Sequence, residues 1–404
     1  MMECSWKVFV LFVFTSLGIQ YTAIKSIRMT FTTPCRSLTP ENRCGHKDNA
    51  TRALCEEVNG QPGRKHILIF TSARSGSSFL GQIFNQNPDI FYLYEPLFHV
   101  QDMFTKGLPS IDKRSLLGAS RDLLHNLFDC DFYLLENYIK PQPKDHITSS
   151  FFRRGSSKAL CSPPICNQEN ESQCMKHCRK INLTLASTSC RSYRTMAIKI
   201  IRIPELNHMR TLVDDPRLSI KVVHLVRDPR AVLASRINTF VSQYRSYQIW
   251  NSSGRKPHNM DLTSLINMCT DYSNSLKTAF SRPSWLKGKY MLVRYEDLAK
   301  DPIKKANEIY NFLGLPWKEE LSSWIEENTN ATVAPNSSKF ATSRNSSKTV
   351  ENWRLNLHFS IVQTVQNFCN TTLSQLGFQL VDSIQQLKNL SQNLVEPRMF
   401  LPFI

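Results

Sequence analysis

Along most of the chain, apolar residues fall into short unbroken runs, each followed by a small or polar break and then by helical spacing. His66-Ile67-Leu68-Ile69-Phe70 is the first run. Turn residues bound it, which predicts a strand buried on both faces. After the break, "SSFLGQIFNQ" sets Phe79, Leu80, Ile83 and Phe84 on one face of a helix starting near Ser77. The runs "RTMAIKIIR" (194–202) and "SIKVVHLVR" (219–227) predict further buried strands, as does "GKYMLVRYEDL". "RDPRAVLASRINTF" predicts a helix with Asp228 as N-cap and Pro229 as first helical residue. "KDPIKKANEIYNFLGL" repeats that start at Asp301-Pro302 and stops at Gly314. Strands alternating with helices predict an α/β fold with a central, mostly parallel sheet flanked by helices. No internal repeat is visible.

The N-terminal pattern differs. Residues 8–24 are largely apolar, interrupted by Gln20, after a seven-residue head. The stretch reaches the lower range for a membrane span. A cleaved signal peptide is the alternative, with Ser16-Leu17-Gly18 as a loose small-x-small site. The apolar stretch continues past that site, which favours an uncleaved anchor. Lys7 before it and Lys25 and Arg28 after it leave the flanking charge undecided. Residues 25–63 are polar, carry Pro34, Pro40 and Pro62, and predict a stem. The expected organisation is therefore tail 1–7, signal-anchor 8–24, lumenal stem 25–63, globular domain 64–381 and C-terminal tail 382–404.

Composition adds the compartment. A chain of 404 residues can bury a sizeable core. Eleven of its twelve cysteines lie beyond the apolar stretch. Asn-x-Ser/Thr sequons begin at Asn49, Asn170, Asn182, Asn251, Asn330, Asn336, Asn345, Asn370 and Asn389. Together they predict a glycoprotein in an oxidising lumen. Cys161, Cys166, Cys174, Cys178 and Cys190 crowd a Cys-rich insertion at about 155–192. Zinc held by Cys174, His177 and Cys178 is the alternative there, but the spacing matches no strong zinc pattern, so disulfides are favoured. With Cys35, Cys44 and Cys55 assigned to the stem, eight lumenal cysteines remain, whose pairing stays open. The formal charge of +17 favours anionic partners. No nucleic-acid-binding module is present, and the aromatics do not interleave with basic residues.

Two strand-to-helix junctions carry the candidate chemistry. The first, Ser72 to Ser78, aims backbone N–H groups from a helix N-terminus at an anion. An ATP-type loop would need G-x-x-x-x-G-K-[ST]. Here Thr71 stands where the first glycine would, Ser77 follows Gly76 in place of lysine, and Arg74 is the loop's cation. The second junction ends a strand at Arg227 and turns at Asp228-Pro229 into a helix carrying Ser235 and Arg236. Arg227 and Ser235 could meet one anionic group, and two such junctions suit a nucleotide with phosphates at both ends. An ordinary turn with solvated arginines is the plainer alternative for each.

"RSGSS" at 74–78 followed by "RDPRAVLAS" at 227–235 resembles the cofactor motifs of the Golgi carbohydrate 6-O-sulfotransferases. That family sulfates galactose, N-acetylgalactosamine or N-acetylglucosamine at C6. Further stretches, "DCDFYLLENYIKP", "FRRG" and "WLKGKYMLVRYEDLA" among them, are similar to its branch acting on galactose in keratan sulfate. The stem and residues 162–190 match least. The resemblance implies a sulfotransferase catalytic domain over 64–381 with the family's P-loop-like fold. The donor would be 3′-phosphoadenosine 5′-phosphosulfate (PAPS), with no metal. Ala73, Arg74, Ser75, Gly76, Ser77, Ser78 and Phe79 would hold the 5′-phosphosulfate. Arg227, Asp228, Pro229, Arg230, Ala231, Val232, Leu233, Ala234 and Ser235 would hold the 3′-phosphate end. It further implies a single-pass type II protein of the Golgi membrane with a lumenal catalytic domain; homo-oligomerisation is compatible with it. The expected acceptor is a keratan sulfate or sulfated lactosaminoglycan chain. Alternatives are N-acetylglucosamine or N-acetylgalactosamine acceptors, or a non-catalytic glycan-binding homologue.

Arg74 and Glu95 are the candidate catalytic residues. Arg74 would stabilise charge on the leaving phosphate. Glu95, in "YLYEPLF", would take the acceptor proton, the alternative being a structural salt bridge at a strand end. Lys199 and Arg202 could face sulfate or acceptor, or simply end a strand. Arg344, Trp353 and Arg354 could close over the nucleotide, or belong to a glycosylated surface loop.

Overall fold

The computed structural model describes residues 63–107, 112–168, 170–329 and 346–404. The head, the apolar stretch and the stem up to residue 62 lie outside the described residues, as does Arg344. Among the described residues no helix is long and apolar enough to cross a membrane.

Five strands form one sheet: β1 (Lys65–Thr71), β2 (Ile90–Tyr94), β3 (Thr195–Ile200), β4 (Ile220–Val226) and β5 (Tyr290–Arg294). Their order is β2-β3-β1-β4-β5, and all pairings are parallel. Alternation builds two cores. Leu68, Phe70, Met196, Ile198 and Val222 face one layer, whereas Ile67, Ile69, Ala197, Val223 and Leu225 face the other. Both faces are covered, so each strand reads as an apolar run rather than a half-polar one.

The helices that matter for the site follow the strands. α1 (Ser77–Asn85) leaves β1, and α2 (Pro229–Thr239) leaves β4 with Asp228 accepting from the Arg230 N–H. α3 (Thr263–Phe280) packs on α5 (Phe359–Leu376), joined by the Cys269–Cys369 disulfide; α4 (Ser346–Asn356) packs over α2. The expected Asp301 start and Gly314 stop bound the helix Pro302–Leu313, with Gly314 in the left-handed region. Strand "GKYMLVRYEDL" is shorter than its apolar run, because Tyr295–Lys300 turns helical.

The other pairings among the described residues are Cys130–Cys190, Cys161–Cys174 and Cys166–Cys178. Cys174 and Cys178 are thus consumed in disulfides, which removes the zinc alternative. Residues 382–404, read as a tail, pack into the same compact unit, Gly63–Ile404. Leu387 and Leu394 are buried, Phe403 bridges Tyr290, and Arg294 donates to the Glu396 carbonyl.

Candidate active site

Because all five strands are parallel, their C-terminal ends meet along one edge of the sheet. In this order β1 and β4 are neighbours, yet their following connections leave in opposite directions. A crevice opens where that happens, the place ligands occupy in open parallel sheets. The residues leaving the strands converge there: Arg74 after β1, Glu95 after β2, Arg202 after β3, Arg227 after β4 and Tyr295 after β5. They line one cavity of about 760 Å³.

The β1–α1 loop is shaped for an anion. Gly76 caps α1 in the left-handed region, φ 88°, with no side-chain cap. The first N–H groups of a helix have no intrahelical acceptor, so those of Ser77 and Ser78 are turned to the cavity they line. A Cβ at Gly76 would stand 2.2 Å from the Tyr295 ring. Only a glycine lets the loop pack this close to Tyr295. Gly76→Ala should cost more than the roughly 1–2 kcal/mol of a left-handed alanine, since the ring must also move. A denaturant midpoint equal to that of the wild type would refute this.

Ser75 faces inward instead. Its hydroxyl, that of Ser72 and that of Tyr272 on α3 form a closed triangle of 2.8, 2.8 and 2.9 Å. Ser75 thus supports the loop from behind rather than lining the cavity.

The two junctions are physically joined. Arg74 Nε donates to Ser235 Oγ at 3.0 Å, and Arg227 Nη1 donates to the Arg74 carbonyl at 3.2 Å. Arg227 also lies over the Tyr295 ring, 4.5 Å from its centroid. Ala231, Ala234 and Ser235 of α2 line the same cavity as Ala73, Arg74 and Phe79.

Part of the second motif is structural. Arg230 is fully buried, pairs with the Asp228 carboxylate at 2.7 Å, and donates to Gln366 and to the Gln379 carbonyl. Its charge is satisfied inside the protein and lies over Trp353. Asp228, Pro229, Val232 and Leu233 are buried and do not reach the cavity wall. These residues set the pitch of α2 rather than meet a ligand there. Arg354 is likewise spent. It is fully buried and donates to the carbonyls of Gln386, Leu387, Asn389 and Gln392. Trp353 beside it does line the cavity, with Asn352 and Asn356.

Glu95 is nearly buried on the wall, in a left-handed conformation at φ 47°. Its carboxylate meets Lys199 Nζ at 2.8 Å and Arg202 Nη1 at 2.6 Å. Burial pushes the carboxyl up, but the two cations outweigh it and hold Glu95 below the usual range. Lys199 is fully buried over the Tyr94 ring, and Arg202 lies over the Phe98 and Phe152 rings, which stack at 3.8 Å. The salt bridge given as the alternative to a catalytic role is therefore present, and it sits on the cavity wall. Left-handed non-glycine residues are strained, and two of them, Arg74 and Glu95, bear the candidate chemistry. Arg153 also lines the cavity and donates to the Tyr94 hydroxyl. Sequence reasoning missed that residue; the paired arginines of "FRRG" were its only signal.

Behind the second junction, Glu296 is buried and accepts from the Asp228 N–H. Burial and the nearby Asp228 carboxylate push it up to about 7 against the pull of Arg227. An unfolded glutamate titrates near ~4.3. A raised folded value means the native state binds this proton more tightly, so its stability falls as pH rises from about 4.5 to 7. Relative to the wild type, Glu296→Gln should be more stable at pH 8 than at pH 5. Urea unfolding at both pH values checks this; an identical difference at each would refute it.

The described residues thus form a parallel α/β protein with a cationic, two-cradle anion cleft at its strand ends. The chain belongs to the sulfotransferase family: the family described as Sulfotransferase domain matches it over residues 64–377. It is 48% identical to carbohydrate sulfotransferase 1 of Mus musculus over 100% of both chains. It is 41% identical to carbohydrate sulfotransferase 3 of Mus musculus, over 86% of this chain and 75% of that one. Among solved structures, the sulfotransferase domain from the curacin biosynthetic pathway aligns with a TM-score of 0.40 and 16% identity. That alignment covers 80% of this chain and 99% of the other.

Proposed function

We propose that this protein transfers the sulfuryl group of PAPS to the C6 hydroxyl of galactose in keratan sulfate or poly-N-acetyllactosamine chains. The observation that carries the reading is the Arg227–Arg74–Ser235 chain, which ties two anion cradles into one cavity with Glu95 on its wall. The names of the full-length relatives support a carbohydrate acceptor. The motif resemblance supports galactose C6.

PAPS supplies an activated sulfuryl group on a phosphate leaving group. Arg74 and the N–H groups of Ser77 and Ser78 hold the 5′ end and take up the charge that develops there. Arg227 and Ser235 hold the 3′-phosphate. In the acceptor step the C6 oxygen forms its bond to sulfur, the bond from sulfur to the phosphate oxygen breaks, and the hydroxyl proton passes to Glu95. Positioning supplies much of the rate, as in phosphoryl transfer. Lys199 and Arg202 keep Glu95 ionised and aimed, at the cost of basicity. The apolar stretch 8–24 and the sequons support a membrane-anchored chain with the domain lumenal, and the family resemblance supports the Golgi membrane.

Labelled PAPS incubated with an acceptor panel, followed by linkage analysis, tests the reading. Sulfate at galactose C6 is expected. Sulfate on N-acetylglucosamine alone would overturn the acceptor, and no transfer together with no binding of the desulfated nucleotide would overturn the enzyme.

A further inference from the structure

A second cavity, about 770 Å³, opens beside the first and shares Ala73, Ile201, Arg202 and Phe240 with it. Arg202 is the divide: its guanidinium pairs with Glu95 on one side and its side chain lines the second cavity on the other. Whatever reacts beside Glu95 can therefore extend past Arg202 into this space.

The two cavities differ in charge. Among the described residues, the first is lined by four guanidinium groups, those of Arg74, Arg153, Arg202 and Arg227, against the single carboxylate of Glu95. The second sets Arg202 and Arg236 against Asp261 and Asp271, so its charges balance. A polyanion is stabilised in the first and gains nothing in the second. The second is instead rich in uncharged hydrogen-bonding groups: the amides of Gln101, Gln243 and Asn267 and the hydroxyls of Thr263 and Ser264. Thr263, Asn267 and Asp271 recur every four residues on α3, so one helical stripe supplies this wall. Phe240 supplies an apolar ring at the mouth between the cavities. Amides and carboxylates beside an aromatic face match a pyranose, which presents hydroxyls at its edge and C–H groups on its faces.

Asp271 stands out on this wall. No described residue donates a hydrogen bond to its carboxylate; burial and Glu205 lift it to about 6 against the pull of Arg236 and Lys113. A half-buried carboxylate without a protein donor is satisfied when a ligand hydroxyl provides one.

We propose that this second cavity is a subsite for the neutral sugar units flanking the one that is sulfated, with Asp271 and Gln243 accepting and donating hydrogen bonds to their hydroxyls. The inference rests on the transferase reading above and adds to it the direction in which the acceptor chain runs. It also separates residues that read acceptor length from those that hold the donor.

The test uses the full chain with Asp271→Asn and Gln243→Ala. Binding of the desulfated nucleotide, and of a neutral β-galactosyl disaccharide and the corresponding lactosamine hexasaccharide to the nucleotide-loaded protein, is measured by calorimetry; transfer kinetics are measured alongside. Both variants should bind nucleotide and disaccharide as the wild type does, while hexasaccharide affinity and its KM worsen by about tenfold, equivalent to ~1.4 kcal/mol. An equal loss on disaccharide and hexasaccharide would overturn the flanking subsite, as would hexasaccharide binding unchanged in both variants. Lost nucleotide affinity would place donor rather than acceptor in this cavity and overturn it also. A wild type that binds both saccharides but transfers no sulfate would count against the transferase reading alone, because the binding comparison still decides the subsite.

Discussion

Arg74→Ala is expected to lower kcat/KM for PAPS-dependent transfer by roughly 10²–10³-fold, the cost of removing one preorganised donor from developing charge, and Arg227→Ala by roughly 10–10²-fold, the cost of one charge-assisted contact to the 3′-phosphate. Both guanidinium groups line the cavity rather than the apolar layers of the sheet, so the sheet should survive their loss, although Arg227 is buried and lies over Tyr295. They are not independent. Arg227 donates to the carbonyl of Arg74, and Arg74 donates to Ser235, so removing Arg227 also loosens the loop that presents Arg74. The double variant should therefore lose less than the product of the two single effects, as coupled sites do. Steady-state kinetics with a folding control by circular dichroism measures this. Wild-type donor kinetics in both single variants would remove these junctions from the mechanism, and strict multiplicativity would remove the coupling between them.

Glu95→Gln should reduce kcat by ~10²–10⁴-fold while leaving affinity for the desulfated nucleotide nearly unchanged. Glutamine keeps the size and one acceptor oxygen but takes no proton at neutral pH. The ion pairs complicate the outcome in a defined way. Lys199 is fully buried, and breaking a buried pair from one side costs about 3–5 kcal/mol, so the variant should also unfold at lower denaturant. Turnover normalised to the folded fraction separates the two effects. If the normalised kcat equals that of the wild type, Glu95 is only a salt-bridge partner and another group takes the proton.

Much of the scaffold was legible because its determinants are local. The apolar runs of β1, β3 and β4, the Asp228-Pro229 and Asp301-Pro302 starts and the Gly314 stop each occupy a few consecutive residues, and each is found where expected. The anion loop was legible for the same reason: a glycine at a helix start and a run of small residues need no distant partner to be recognised. The absent lysine in that loop was equally visible and argued against triphosphate chemistry.

What the sequence by itself determined, then, is the α/β class, the two strand-end cradles and the excess of positive charge, all carried by neighbours along the chain. Only the tertiary structure decided which of the arginines face the cavity. Arg227 and Arg230 lie three residues apart, yet one reaches the cavity while the other is locked against Asp228 and Gln366. The four disulfides among the described residues, the packing of 382–404 onto β5 and the placement of Glu95 between Lys199 and Arg202 likewise depend on partners far apart in the chain. The physical reason is the strand order: β2 pairs with β3 across a hundred residues of sequence, and parallel pairing carries the residues that follow both strands to one edge.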